Sequence, residues 1–296
     1  MKVIETTRLT KYYGKSRGIV DVDLSVEEGD FFGFIGPNGA GKSTTIRILL
    51  GLITATGGRA EIFGQEIQEN KTSLLAKIGY LPSEAMFYHG MRVRDVLRLS
   101  ADLRKKDCRA EAERLCDRLE LDPSRKVDEL SLGNRKKVGI VCAMQHKPRL
   151  FILDEPTSGL DPLMQREFYS LLQEYNKEGA TVFLSSHVLS EIQRYCKRAA
   201  VIREGRILVT DNVEKLGHTG AKRVTIRGVS QPPALSNTKD VECLPDAVSF
   251  LYSGEPNALL NALASLPLTD VTIAEPDLEE VFLHYYREEG KNNDNI

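Results

Sequence analysis

Nowhere does the chain carry an apolar run of roughly eighteen residues, so no segment is long enough to cross a bilayer as a helix. The opening residues, MKVIETTRLTKYYGK, lack the apolar stretch of a secretory leader. A surplus of charge is also missing. Forty basic side chains face forty-two acidic ones, for a formal charge of -2, so no global field draws the protein to nucleic acid or anionic lipid. Any membrane contact must therefore be local. Cysteine pairing is absent as well: Cys108, Cys116, Cys142, Cys196 and Cys243 are odd in number, scattered and never in a CxxC pair. That pattern excludes a disulfide framework or zinc knuckle and predicts five reduced packing residues.

The 296 residues suffice for a large domain with a smaller companion. Up to about Asp30 the sequence reads as short strands and turns, and Phe31 to Ile35 forms a compact apolar strand. A helix is predicted over Thr44 to Leu52, then a glycine turn and a strand from Arg59 to Phe63. From about 88 to 146 the texture turns helical, with Val93, Val96 and Leu97, then Leu115, Cys116 and Leu119, each lining one face. Apolar strands return at Leu150 to Leu153 and Thr181 to Ser185, each followed by a helical stretch. This alternation predicts an α/β fold with a parallel sheet covered by helices. A polar stretch, Thr210 to Lys222, then separates residues 1–215 from residues 216–296. The second part reads as a small α+β domain: a strand through Val224 and Ile226, strands near 247–252 and 270–274, a helix near 257–265, and a closing amphipathic helix with Leu278, Val281, Phe282 and Tyr285. That last helix has apolar face enough to pack on its own sheet or on a partner copy.

Residues 36–44 read GPNGAGKST, between a predicted strand and a predicted helix. Glycines at 36, 39 and 41 free the backbone so that successive N–H groups can turn toward phosphate oxygens, and the helix N-terminus behind them favours negative charge. Gly36, Pro37, Asn38, Gly39, Ala40 and Gly41 thus form a nucleotide-binding loop. Lys42 is expected to reach the β- and γ-phosphates, Ser43 to offer its hydroxyl to Mg²⁺, and Thr44 to support the α- or β-phosphate.

At LFILDE, residues 150–155, a buried strand ends in two acids where a parallel sheet opens on its ligand crevice. Asp154 is expected to hold hydrated Mg²⁺ and Glu155 to deprotonate the attacking water. His187 follows the strand TVFLSS and is placed to face the γ-phosphate.

With these motifs in this order, the chain resembles the ATP-binding cassette family from about Leu9 to Ile207, and the resemblance implies a P-loop NTPase core. LSLGN, residues 130–134, is similar to that family's signature segment, with Leu132 and Asn134 departing from its usual LSGGQ. In the family two cassettes pair head to tail, so Ser131 and Gly133, ahead of a helical run from Arg135 to Gln145, would cap the ATP of a second copy or a second cassette ATPase. SGLD, residues 158–161, resembles the D-loop and implies that Asp161 lies at the dimer seam. KYYGK resembles the aromatic loop that stacks on adenine; Tyr13 fits best and Tyr12 second. YLPSE, residues 80–84, departs from the family pattern: Ser83 stands where a glutamine usually follows the proline, which implies a weaker hold on Mg²⁺.

The resemblance implies ATP and Mg²⁺ as ligands, ATP hydrolysis, and an integral-membrane permease as partner. It places the chain in the cytoplasm, peripheral on the inner face of the cell membrane. Permease docking is expected between Ser83 and Arg94, through Phe87, Tyr88 and Met91, and nucleic acid is not an expected partner. Residues 223–296 look like the extension carried by ATPases of drug, antibiotic or lipid exporters. The competing reading is a soluble cassette ATPase acting on ribosomes or DNA, disfavoured because the chain holds neither a second cassette nor a coiled-coil insertion.

Overall fold

In the computed structural model, residues 1–217 and 221–274 are described. The chain forms two compact units, Met1–Asp211 and one that begins at Asn212. The first opens with two long strands, β1 (Lys2–Tyr13) and β2 (Ser16–Glu27), where the sequence reads as short strands and turns. Gly14, at φ 60°, lets the chain reverse between Tyr13 and Ser16, and the two strands pair antiparallel over their length.

Then follow β3 (Phe31–Ile35), α1 (Lys42–Leu49), β4 (Gly57–Ile62), the short β5 (Gln65–Glu66), α2 (Ile67–Leu75) and β6 (Ile78–Leu81). Three helices make the insertion: α3 (Val93–Leu103), α4 (Arg109–Arg118) and α5 (Leu132–Met144). The chain returns to the sheet with β7 (Leu150–Asp154), α6 (Pro162–Lys177), β8 (Thr181–Ser186), α7 (Leu189–Tyr195), β9 (Arg198–Arg203) and β10 (Arg206–Asn212).

One sheet has the order β2-β1-β4-β5 and the other β10-β9-β3-β8-β7-β6. Within the second, β9, β3, β8, β7 and β6 run parallel. Every residue of β3, β7 and β8 is buried, as expected where helices cover both faces. Phe32, Phe34, Phe151 and Phe183 are fully buried there, and each stabilises the core by about 2–3 kcal/mol. The ring of Phe183 stacks on that of Phe32 at 6.0 Å and meets that of Phe34 at a tilt, 5.4 Å away.

Register matters most for function. Ile35 pairs with Ser186 and Asp154 with Ser185, so β3, β8 and β7 end level with one another. The segments leaving those ends carry GPNGAGKST, His187 and Glu155.

The first part of the polar stretch after Thr210 is structured: β10 continues to Asn212, and α8 (Val213–Gly217) follows. In the second unit β11 (Lys222–Arg227), β12 (Thr238–Cys243), β13 (Ala247–Tyr252), α9 (Pro256–Ala264) and β14 (Asp270–Ala274) form an antiparallel sheet of order β12-β13-β11-β14 and its helix. Val224, Ile226, Val248 and Phe250 pack beneath Leu259 and Leu263 of α9. Strand β12 is unanticipated because TKDVEC is mostly exposed and has no apolar alternation to signal it. The predicted closing helix through Leu278, Val281, Phe282 and Tyr285 lies outside the described residues.

Of the five cysteines, Cys108, Cys116 and Cys196 are buried and Cys142 is half-buried, whereas Cys243 is exposed. Packing is therefore the wrong reading for Cys243, which is exposed at the end of β12, an edge strand of its sheet.

Candidate nucleotide site

The phosphate loop is shaped by close packing as much as by torsion. A side chain at Gly36 would put Cβ 2.3 Å from the Ile202 carbonyl oxygen, and one at Gly41, at φ 111°, would meet Ile19 at 2.6 Å. Gly39, at φ 80°, has open space around it, so torsion alone requires glycine there. The β9–β10 turn braces the loop from behind: the Gly205 N–H donates to the Ala40 carbonyl at 2.9 Å, and the Val20 N–H donates to the Gly205 carbonyl at 2.8 Å.

Lys42 opens α1 and is only 4% exposed. Its Nζ donates to the Gly36 and Pro37 carbonyls at 2.7 and 3.2 Å and lies 3.5 Å from Glu155 Oε1. The same Glu155 oxygen is 3.2 Å from His187 Nδ1. Three residues from three strand ends thus meet at one carboxylate. Glu155 adopts φ 46°, a left-handed conformation that costs a non-glycine residue about 1–2 kcal/mol. Its N–H donates to the Ser185 carbonyl at 3.1 Å.

Asp154 is 3% exposed, and its Oδ1 accepts a hydrogen bond of 2.6 Å from Ser185 Oγ. Ser185 was not singled out from the sequence, although two serines closing the apolar run TVFL are an available signal. Glu191 ties the two sides of the site together. It accepts from Thr157 Oγ1 at 2.6 Å, after Glu155, and from Ser186 Oγ at 3.0 Å, before His187.

A cleft of about 210 Å³ runs along the loop, lined by Pro37, Asn38, Gly39 and Lys42 to Thr44, with Tyr13, Arg17 and Glu155 at its walls. Tyr13 is half-exposed, with its hydroxyl 3.5 Å from Thr44 Oγ1, so its ring stands beside the phosphate loop. Arg17, whose guanidinium pairs with Glu204 at 3.4 Å, is a cleft residue the sequence did not flag.

A family model described as "ABC transporter" matches residues 19–158, from β2 to the segment after Glu155. Over 295 residues the chain is 34% identical to the bacitracin transport ATP-binding protein BcrA of Bacillus licheniformis, covering 95% of this chain and 96% of that protein. The chain belongs to the ATP-binding proteins of ABC transporters. BcrA of Enterococcus faecalis is 37% identical over 217 residues, or 72% of this chain and 70% of that one. A solved structure described as the ATP-binding subunit of an ABC transporter matches with a TM-score of 0.68 at 31% identity, covering 72% of this chain and 91% of that chain. The protein is accordingly an ABC ATPase, and ATP is its nucleotide.

The remaining family segments lie away from the cleft of this single chain. Ser131 is the N-cap of α5, its Oγ accepting from the Asn134 N–H at 3.3 Å. The helix begins at Leu132, earlier than the sequence suggested, so Gly133 sits inside its first turn. A Cβ on Gly133 would come within 2.7 Å of the Gly159 carbonyl oxygen, so the LSLGN and SGLD segments are in close contact. Leu132, which departs from the family's glycine, is 62% exposed. Asp161 caps α6, its Oδ1 accepting from the Leu163 and Met164 N–H groups at 3.0 Å each. The Met164 N–H, with that of Leu163, holds this carboxyl below the usual range.

Ser83 is exposed and follows β6, the neighbour of β7. Its carbonyl, with those of Pro82 and Glu155, is held by Lys136 Nζ. Lys136 escaped notice in the sequence, yet it shares a buried α5 stripe with Gly139, Ile140 and Ala143, where a lysine is anomalous.

Proposed function

We propose that the chain is the ATP-hydrolysing subunit of an exporter of drug, antibiotic or lipid-like molecules, attached to a separate membrane permease on its cytoplasmic side. The observation that carries the hydrolytic part is the Glu155 carboxylate, within 3.5 Å of both Lys42 Nζ and His187 Nδ1 at the mouth of the phosphate-loop cleft. In this reading Lys42 and the loop amides hold the β- and γ-phosphates, Glu155 takes the proton of the attacking water, and His187 orients the γ-phosphate. Asp154 and Ser43 present a carboxylate and a hydroxyl, hard oxygen donors suited to Mg²⁺. That ion supplies neutralisation of phosphate charge when bound. Tyr13 stacks on the adenine. Two chains, or this chain and a second cassette ATPase, pair so that Ser131 and Gly133 of one face the nucleotide of the other, with Asp161 at the seam.

The transport part rests on two supports. The relatives BcrA are named for bacitracin transport. In addition, a groove of about 420 Å³ at the start of the helical insertion is lined by Met86, Phe87, Tyr88, Met91, Leu99 and Leu103. Met86, Tyr88 and Leu103 are 88%, 75% and 76% exposed, an apolar concentration that suits a helix supplied by a permease. No helix among the described residues is long and apolar enough to cross a membrane, so such a chain would reach the bilayer through its partner.

The test is a pull-down of the full-length protein from detergent-solubilised native membranes, with the Phe87→Ala/Tyr88→Ala double variant beside it. A multi-span protein captured by the wild type and lost in a variant that still hydrolyses ATP is the expected result. Ribosomal proteins or DNA in its place would keep the ATPase and overturn the transport assignment.

A further inference from the structure

Lys136 is a charged residue in a place that charge avoids. It is 3% exposed, on the second turn of α5, two residues beyond the LSLGN segment. Its ammonium has three donors, and three backbone carbonyls meet it: Ser83 at 2.8 Å, Glu155 at 3.0 Å and Pro82 at 3.1 Å. These carbonyls come from two different segments. Residues 82 and 83 leave β6, Glu155 leaves β7, and the two strands are parallel neighbours with Leu81 opposite Leu153. Their exits therefore lie side by side, and the lysine spans them from the helix above.

The bond to Glu155 falls on the residue with the left-handed backbone. With its N–H on the Ser185 carbonyl and its own carbonyl on Lys136, Glu155 is fixed through both of its peptide groups. A sparsely populated conformation persists when its surroundings over-determine it, and these two bonds do so. Burial pushes the Lys136 ammonium down to about 8, opposed by the nearby carboxylates of Asp154, Glu155 and Glu84, so its position is costly and its contacts are what offset the cost.

We propose that Lys136 is a positioning residue for hydrolysis: it holds the backbone of Glu155, the 82–83 segment and the start of α5 together, so that the helix end bearing Ser131 and the Glu155 carboxylate move as one body. The proposal rests on the reading of Glu155 given above. It supplies a physical link between the nucleotide that Ser131 and Gly133 would touch in a paired chain and the carboxylate that acts in this chain's own site. It also gives the 82–83 segment, where Ser83 is too short to reach far into the cleft, a connection to Glu155 through its backbone.

The experiment uses the full-length chain and three substitutions: Lys136→Met, of similar length without donors; Lys136→Arg, which keeps charge and donors; and Lys136→Gln, which keeps an amide. ATP turnover and ADP affinity are measured for each. In Lys136→Met, kcat should fall about tenfold or more, the scale of a misplaced reacting group. ADP affinity and KM for ATP should stay within about twofold, and Lys136→Arg should recover part of the lost kcat. Wild-type kcat in Lys136→Met overturns the proposal, as does a parallel loss of kcat and ADP affinity that Lys136→Arg does not rescue. Should Lys136→Met fail to fold, Lys136→Gln decides: reduced kcat at unchanged ADP affinity supports the proposal, and unchanged kcat overturns it. Glu155→Gln is run alongside. Undiminished turnover there removes the reading of Glu155 itself, whereas loss of turnover there with normal Lys136→Met overturns only the role of Lys136.

Discussion

Glu155 offers a way to separate chemistry from conformation at a single position. Replacing it with Gln preserves shape and leaves the φ of 46° equally unfavourable, so any change in rate reports the carboxylate. A positioned general base contributes about 10²–10⁴-fold, or about 3–5 kcal/mol of barrier, so Glu155→Gln should lower kcat by that factor and accumulate an ATP-bound dimer. Glu155→Ala and Glu155→Gly should be equally inactive, since neither has a carboxylate, but they should differ in stability. At an ordinary site alanine is favoured over glycine by about 0.4–1 kcal/mol through the entropy of the unfolded chain. At φ 46° the left-handed penalty of about 1–2 kcal/mol falls on alanine alone. The balance leaves Glu155→Gly more stable than Glu155→Ala by about 1 kcal/mol, which for a unit of this size is a rise in Tm of about 2–4 °C. Thermal denaturation followed by circular dichroism, without nucleotide, reads the difference. An alanine variant more stable than the glycine variant by the ordinary margin of about 0.4–1 kcal/mol would show that the backbone carries no strain at Glu155, and turnover within about twofold of wild type in Glu155→Gln would remove its carboxylate from the chemistry.

Acid should destabilise the first unit through His146. Burial above all, then the Arg104 charge, lowers its pKa to about 4, so in the folded chain it stays neutral, its Nε2–H bonded to the Ile78 carbonyl at 3.1 Å. Because the unfolded chain takes up this proton near pH 6.5, stability present above that value is lost as pH falls toward 4; from pH 7 to 5 the loss is about 2 kcal/mol. Urea titrations should show it in the wild type and not in His146→Gln, and an equal pH dependence in both would refute the assignment. At residue 83, Ser83→Gln should lengthen the side chain enough to add one hydrogen bond toward the Mg²⁺ environment, worth about 1 kcal/mol. Half-maximal ATP hydrolysis should then need about fivefold less Mg²⁺, and an unchanged requirement would refute the idea that the short serine weakens the hold on the ion.

What the sequence makes legible here, and what it hides, follows from the range of the interactions involved. Strand β3, the phosphate loop and α1 are contiguous in sequence, so the glycines at 36, 39 and 41 are legible there, although the close packing that requires them at 36 and 41 comes from Ile202 and Ile19. Asp154, Glu155 and His187 are legible for a related reason: a parallel strand opens on a ligand only at its C-terminal end, so the polar residue that ends an apolar run is already placed. The level ends of β3, β8 and β7 then bring these residues together, although 32 positions separate Glu155 from His187. The length of β1 and β2 is hidden because their partly exposed alternation breaks into short pieces when each is considered without its partner. Lys136 is hidden more deeply. Its partners are backbone carbonyls, which every residue possesses, contributed by segments 53 and 19 positions away. No side-chain pattern at residues 82, 83 or 155 announces that an ammonium is needed there. The local trace is a lysine on the buried side of α5, in line with Gly139, Ile140 and Ala143, where a charge has to be satisfied by partners from elsewhere in the chain.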